Sequence, residues 1–201
     1  MNKKIFPIVQ KNFLPEKNIT CTGIDLGTTY TLLATINSLD VDFKKSNVIP
    51  VKFVSMPQKS PDEYISVIYD EKVASIIALV NGKPYVGNNL YSLKGRKGYE
   101  YKHNMFYHWK VEMGVEHFPM YPNAIIDNLD MPYKIAGGIL NYCRSNFLQS
   151  RDAVLENTII TVPASFQANQ RQDVLKACDI AKIKSSPNML IDEPNAAFLG
   201  F

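Results

Sequence analysis

The sequence predicts a layered α/β domain built on a mixed β-sheet. Two patterns carry the prediction. From Thr22 to Met113, short β-branched and aromatic segments are separated by turn residues, and from Pro132 onward the order becomes helix, strand, helix, strand, helix. A third observation sets the scale. The 201 residues are 46% hydrophobic and 20% charged, the balance of an ordinary globular domain. A chain of this length buries roughly 70% of its unfolded surface and needs no metal or disulfide staple.

In chain order, Thr22–Ile36 predicts strand, tight turn, strand, with Gly27 supplying the backbone freedom of the turn. Val48–Val54 and Ile65–Tyr69 are further strand candidates, separated by the Pro57–Pro61 breaker cluster. Asn81-Gly82 predicts a hairpin pairing Ile76–Val80 with Tyr85–Val86. Asn88–Leu93 opens a helix, Lys94–His103 is an exposed loop, and Met105–Met113 is an apolar-aromatic segment with one embedded lysine. Tyr133–Leu148 carries Ile135, Ile139, Leu140, Cys143 and Phe147 at helical spacing and predicts an amphipathic helix. Glu156–Val162 predicts a strand ended by Pro163, Asn169–Ala181 a second helix, and Asn188–Ile191 a short strand. Pro194 then stands where a first-turn helical proline belongs.

Charge and composition exclude several function classes. Twenty-two Lys and Arg against 19 Asp and Glu leave a net charge of +3, too small for a nucleic-acid footprint. No stretch reaches the ~20 apolar residues of a spanning helix, so no membrane partner is expected. Cys21, Cys143 and Cys178 lie far apart without metal or redox spacing, which predicts reduced thiols and a cytoplasmic location. Lys3-Lys4 resembles the start of a secretory signal, but only Ile5-Phe6 follow before Pro7. His103, His108 and His117 show no metal-ligand spacing.

Three segments carry candidate chemistry. In Asp25-Leu26-Gly27-Thr28-Thr29 a carboxylate ends a strand and a glycine turn with two hydroxyls follows. Such a turn can aim several N–H donors at an anion. The carboxylate would repel phosphate unless Mg²⁺ or its waters stood between them; the other reading is an ordinary capped hairpin. Glu193-Pro194 follows a strand directly, where an acid faces the ligand crevice of an α/β sheet and can hold a water. Alternatively it is a helix N-terminal acid favoured by the dipole. Lys110, amid Phe106-Tyr107-His108-Trp109, either reaches an anion or snorkels.

Taken together these segments resemble one family. Thr22–Ala34 (TGIDLGTTYTLLA) resembles the first phosphate-binding hairpin of the 70-kDa heat-shock chaperones, the DnaK-like family. Ile159–Ala181 (IITVPASFQANQRQDVLKACDIA) resembles its V-P-A-x-F-x-x-x-Q-R-Q segment, and Leu190–Phe201 (LIDEPNAAFLGF) its I-x-E-P-x-A-A segment. Tyr85–Asn88 and Asn104–Gly114 are similar to a strand-plus-glycine element and to the segment holding the catalytic lysine. Asn195, where the family usually has Thr, and Phe198, where a small residue is common, depart from its pattern.

The resemblance implies an actin-like ATPase (ribonuclease H-like) fold in which two lobes close on Mg-ATP. Residues 21–201 would be lobe I, after an irregular lead-in over residues 1–20, and the second lobe and substrate-binding domain would lie beyond Phe201. By resemblance Asp25 faces the Mg²⁺ water shell, and Gly27, Thr28 and Thr29 line the β- and γ-phosphates. Lys110 and Glu193 then act on the phosphoryl group or attacking water, with Thr28 beside them. Pro163 and Arg171 would relay the nucleotide state. The function implied is the N-terminal part of an ATP-dependent chaperone, an ATPase at full length, with ATP/ADP as cofactor and client proteins and co-chaperones as partners. A catalytically inactive scaffold module and an actin-like or sugar-kinase relative stay open as alternatives.

Overall fold

The computed structural model of the protein describes residues 19–37, 51–61, 67–115, 120–125 and 129–200. Most of the lead-in, the start of the Val48–Val54 segment, Ile65 and His117 fall outside these residues.

The central sheet grows from a hairpin. β1 (Thr20–Leu26) and β2 (Tyr30–Asn37) pair antiparallel from Thr20↔Asn37 to Leu26↔Thr31. β1 buries Thr22, Ile24 and Leu26 and exposes the residues between, the period-two pattern of a strand with one face on a core. Gly27 closes the hairpin for a reason other than backbone freedom. Its φ is not in the left-handed region, but a Cβ there would lie 2.3 Å from the Tyr30 carbonyl oxygen. The same carbonyl accepts the Gly27 N–H at 3.0 Å. Only a residue without a Cβ permits so tight a return.

β3 (Lys52–Phe53) and β6 (Lys72–Ala74) both pair antiparallel with β2, at its far and near ends respectively. β4 (Met56–Gln58) and β5 (Ile68–Asp70) form a separate ribbon. β7 (Ile77–Val80) and β8 (Lys83–Val86) form the hairpin that Asn81-Gly82 predicts. Asn81 and Gly82 have φ of 51° and 74°, the left-handed pair a two-residue turn needs. The Asn88–Leu93 segment is a 3-10 helix that goes no further. β9 (Met105–Phe106) adds a third strand beside β7.

The second half supplies the helices and the parallel strands. α1 (Pro132–Leu148) buries Ile135, Ala136, Ile139, Leu140 and Cys143, the face its spacing predicts. Burying each large aliphatic side chain is worth about 1.5–3 kcal/mol. β10 (Thr158–Val162) pairs parallel with β1, and β11 (Leu190–Asp192) pairs parallel with β10. α2 (Ala168–Ile180) joins them, opened by a capping box between Gln167 and Gln170. α3 (Glu193–Gly200) leaves β11 directly, with Pro194 in its first turn. The predicted strand at Asn188–Ile191 is displaced because Pro187–Met189 forms a 3-10 turn first. The sheet order is β11-β10-β1-β2-β3, with β6 beside β2, a mixed sheet with helices, as expected.

One core feature was not foreseen. Arg144, on α1 and 1% exposed, forms no salt bridge with a carboxylate among the described residues. Its guanidinium donates to the carbonyls of Ser150 (3.0 Å), Arg151 (3.0 Å) and Ala153 (2.8 Å) and to Asn141 Oδ1 (2.5 Å). It gathers the chain leaving α1, where Gln149 takes the left-handed conformation.

Candidate functional site

The sheet brings distant residues to one end. β1, β10 and β11 run parallel, so their carboxyl ends share an edge, and crevices of this kind are where α/β sheets bind ligands. Asp25 sits opposite Thr161 in the register, and Thr161 opposite Ile191. The residues just beyond these positions are Gly27, Pro163 and Glu193. A cavity of about 520 Å³ opens there, lined by Asp25, Gly27, Thr28, Lys110, Thr161, Pro163, Glu193, Ala196 and Ala197.

Asp25 is exposed and accepts the Thr161 hydroxyl on Oδ1 at 2.9 Å. Its Oδ2 has no protein partner among the described residues. The turn at Gly27 and Thr28 forms the adjoining wall. Thr29 does not line the cavity; its carbonyl turns away and accepts the Ser75 N–H at 2.8 Å.

Lys110 enters from the opposite direction in sequence. It lies in the 3-10 turn Trp109–Glu112, which starts after His108 at φ 57°. Trp109 is wholly buried and donates its indole N–H to the Ser75 carbonyl at 3.0 Å. On the other side, Gly114 donates its N–H to Asp173 Oδ2 (2.8 Å) and accepts from Asn169 Nδ2 (2.5 Å), both on α2. The turn is thereby tied at both ends, and Lys110 is only 4% exposed. Its Nζ donates to Glu193 Oε1 at 3.1 Å and lies 5.6 Å from the centre of the Phe166 ring. A snorkelling lysine keeps its ammonium in water; this one holds it inside, against a single carboxylate that is itself partly solvated.

Arg171 stays outside the cavity lining. It donates to the Phe166 carbonyl at 3.0 Å and forms an ion pair with Asp192, the last residue of β11. Pro163 lines the cavity, and its carbonyl accepts the Phe166 N–H at 3.0 Å. Two parts of this arrangement escaped sequence reasoning. Thr161, which orients Asp25, stands two residues before Pro163, and only the parallel pairing of β1 with β10 brings it to Asp25. Ala196 and Ala197, one helical turn past Glu193, offered only their small size as a signal.

The donor set suits a metal-bound polyanion. One buried cation and a turn rich in N–H groups can hold negative oxygens. A carboxylate with one free oxygen suits a magnesium water shell. Among the described residues no cluster of three His, Cys, Asp or Glu side chains could hold a metal by itself, so a metal here would rest on water and ligand oxygens.

Comparison with known proteins agrees with this architecture. Residues 21–201 match the family model described as Hsp70 protein. The chain is 27% identical over 209 residues to the chaperone protein HscA of Buchnera aphidicola subsp. Schizaphis graminum, covering 95% of this chain and 30% of that protein. It is 27% identical over 192 residues to the HscA homolog of Acinetobacter baylyi (93% and 28% covered), and 27% over 195 residues to HscA of Escherichia coli (93% and 29%). The chain thus spans under a third of the length of the curated relatives it matches. With the matched residues running through every strand and helix of the mixed sheet, the chain belongs to the Hsp70 family and forms part of its actin-like ATPase fold.

Proposed function

We propose that residues 21–201 are lobe I of a nucleotide-binding domain, and that the full-length protein is an ATP-dependent chaperone whose ATP hydrolysis drives binding and release of client proteins. The observation that carries this reading is the meeting of Asp25, Gly27, Thr28, Lys110 and Glu193 around one cavity, although Lys110 and Glu193 are 83 residues apart in sequence.

Bound Mg²⁺ would supply charge neutralisation between the carboxylates and the phosphate oxygens. The residues of the chain do the rest. Asp25, held by Thr161, would face the metal's water shell with its free oxygen. With the Gly27 N–H held by the Tyr30 carbonyl, the Thr28 N–H and hydroxyl would be the donors the turn offers to phosphate oxygens. Lys110 holds a positive charge where negative charge shifts during phosphoryl transfer, and Glu193 orients a water at the same place. Phosphoryl transfer asks mainly for positioning and electrostatics, so this short set of groups suffices on this side of the nucleotide. Pro163 and Arg171, which flank the Phe166 turn, would transmit nucleotide state outward through the Asp192 ion pair. Membership of the family and the HscA relatives support the chaperone role, with co-chaperones and unfolded segments as partners in the cytoplasm.

The test uses the full-length protein. Mg²⁺-dependent ATP hydrolysis, and release of a bound unfolded peptide on ATP addition, are the expected results. Hydrolysis that is absent under single-turnover conditions, with ATP leaving peptide binding unchanged, would refute the reading.

A further inference from the structure

Ser75 is 1% exposed, directly follows β6, and lines no part of the cavity, yet it touches both sides of the site. Its N–H donates to the Thr29 carbonyl at 2.8 Å and its hydroxyl donates to the Gly27 carbonyl at 2.7 Å. Its own carbonyl accepts the Trp109 indole N–H at 3.0 Å. Thr31, wholly buried, lies with its hydroxyl 3.1 Å from Ser75 Oγ. The single proton of the Ser75 hydroxyl is committed to Gly27, so Thr31 is the donor in that contact. Every polar group of Ser75 is therefore used, and the partners are the residues on either side of Thr28, the buried Thr31, and the residue preceding Lys110.

Peptide planarity gives this network a direction. In a trans peptide the C=O of one residue and the N–H of the next point to opposite sides. Holding the Gly27 carbonyl toward Ser75 points the Thr28 N–H away from it. We propose that Ser75 is a positioning residue for the phosphoryl-transfer site: it turns the Thr28 N–H toward the cavity and fixes that donor and Lys110 in one rigid frame. The proposal rests on the Mg-ATP reading above for its chemistry, but the frame itself is a property of this chain.

The experiment compares S75A, S75T, W109F and I139V with the parent in the full-length protein. S75A deletes the donor to Gly27, S75T restores a hydroxyl, and W109F deletes the indole donor while keeping aromatic bulk. I139V trims the buried face of α1 and serves as a control for lost stability alone. Readouts are the single-turnover rate of ATP hydrolysis, equilibrium nucleotide affinity, thermal midpoint, and hydrogen exchange in peptides spanning residues 24–31 and 105–114. S75A is expected to slow turnover at least tenfold, more than it weakens nucleotide binding, and to speed exchange in both peptides. S75T should recover the rate, W109F should slow turnover and speed exchange over 105–114, and I139V should lower the midpoint without slowing turnover. A loss below tenfold in S75A, exchange unchanged in either peptide, or equal slowing in I139V overturns the proposal. If the parent hydrolyses no ATP, the Mg-ATP reading falls, and the exchange pattern alone then decides whether Ser75 couples the two turns. If S75A does not fold, W109F decides from the other turn by the same two criteria.

Discussion

Replacing Lys110 by alanine separates catalysis from stability because the structure assigns the two very different magnitudes. The Nζ lies 3.1 Å from Glu193 Oε1. At an effective dielectric of about 20 that separation corresponds to roughly 5 kcal/mol of attraction. Glu193 is 43% exposed, however, and solvation of its carboxylate reduces the net worth of such a pair toward ~1 kcal/mol. Against even that loss stands a gain, since an ammonium on a residue only 4% exposed no longer has to be desolvated. The folded state is expected to change by no more than ~1–2 kcal/mol.

The chemical step should respond far more. A fixed charge aimed at the reacting group commonly contributes ~3–4 kcal/mol to the barrier, a factor of about 10²–10³ in rate. The ground state keeps the Thr28 donors and the Asp25–Thr161 pair, so nucleotide affinity should fall much less than turnover. The assay is single-turnover ATP hydrolysis by full-length K110A beside equilibrium nucleotide binding and urea unfolding. A rate within tenfold of the parent, under ~1.4 kcal/mol of barrier, would refute the assignment. Lys94, Lys97 and Lys102 in the preceding segment would then be the lysines to test.

Residues 1–201 alone should show no sub-micromolar ATP affinity by calorimetry, because the proposed second lobe supplies the remaining contacts; tighter binding would contradict that division. T161V frees Asp25 Oδ1 and should raise the Mg²⁺ concentration needed for half-maximal turnover several-fold, read by magnesium titration. R144A strips four acceptors of a buried donor and should cost ~2–4 kcal/mol of stability in urea unfolding. Burial pushes the Cys143 and Cys178 thiols from an ordinary 9.0 up to about 12, so at pH 8 only Cys21 should react rapidly with a thiol reagent. Both folded-state values are raised, so the unfolded chain loses these protons first as pH rises. The stability they contribute is present below pH 9 and is lost between 9 and about 12, which alkaline unfolding curves of the double Cys→Ala variant would register as a shallower slope.

How far the sequence announces this structure depends on the range of the interaction concerned. The β7–β8 hairpin was legible because Asn81-Gly82 settles it locally, and α1 because five apolar residues mark one face. The helical segment Asn88–Leu93 was legible in its bounds, since the glycine-containing stretch from Lys94 follows it, but its 3-10 winding was not. The place of the Gly27 turn is legible from the glycine, but its cause is not: the constraint is the distance to the Tyr30 carbonyl, which no residue type reveals. At the site, Asp25 and Glu193 stood out by their places at strand ends. Thr161 and Ser75 did not, because their importance lies in partners 136 and 48 residues away. The burial of Arg144 was likewise hidden, as a cation on an amphipathic helix ordinarily belongs to the solvent face.

The parallel register of β1, β10 and β11 also works as a caliper. Neighbouring strands in any sheet lie about 4.8 Å apart, so the row through Asp25 and Thr161 reaches β11 after two such steps, roughly 10 Å. That width is set by backbone hydrogen bonding and is independent of the loops that join the strands. Insertions between α2 and β11, where Lys184, Ser186 and Asn188 are exposed, would reshape the outside of the molecule while leaving the jaw opening untouched. A slip of one residue along β10 would instead turn Thr161 to the opposite face and strand Asp25. The width of the jaw thus depends on the alignment of the three parallel strands and not on the length of the chain that joins them.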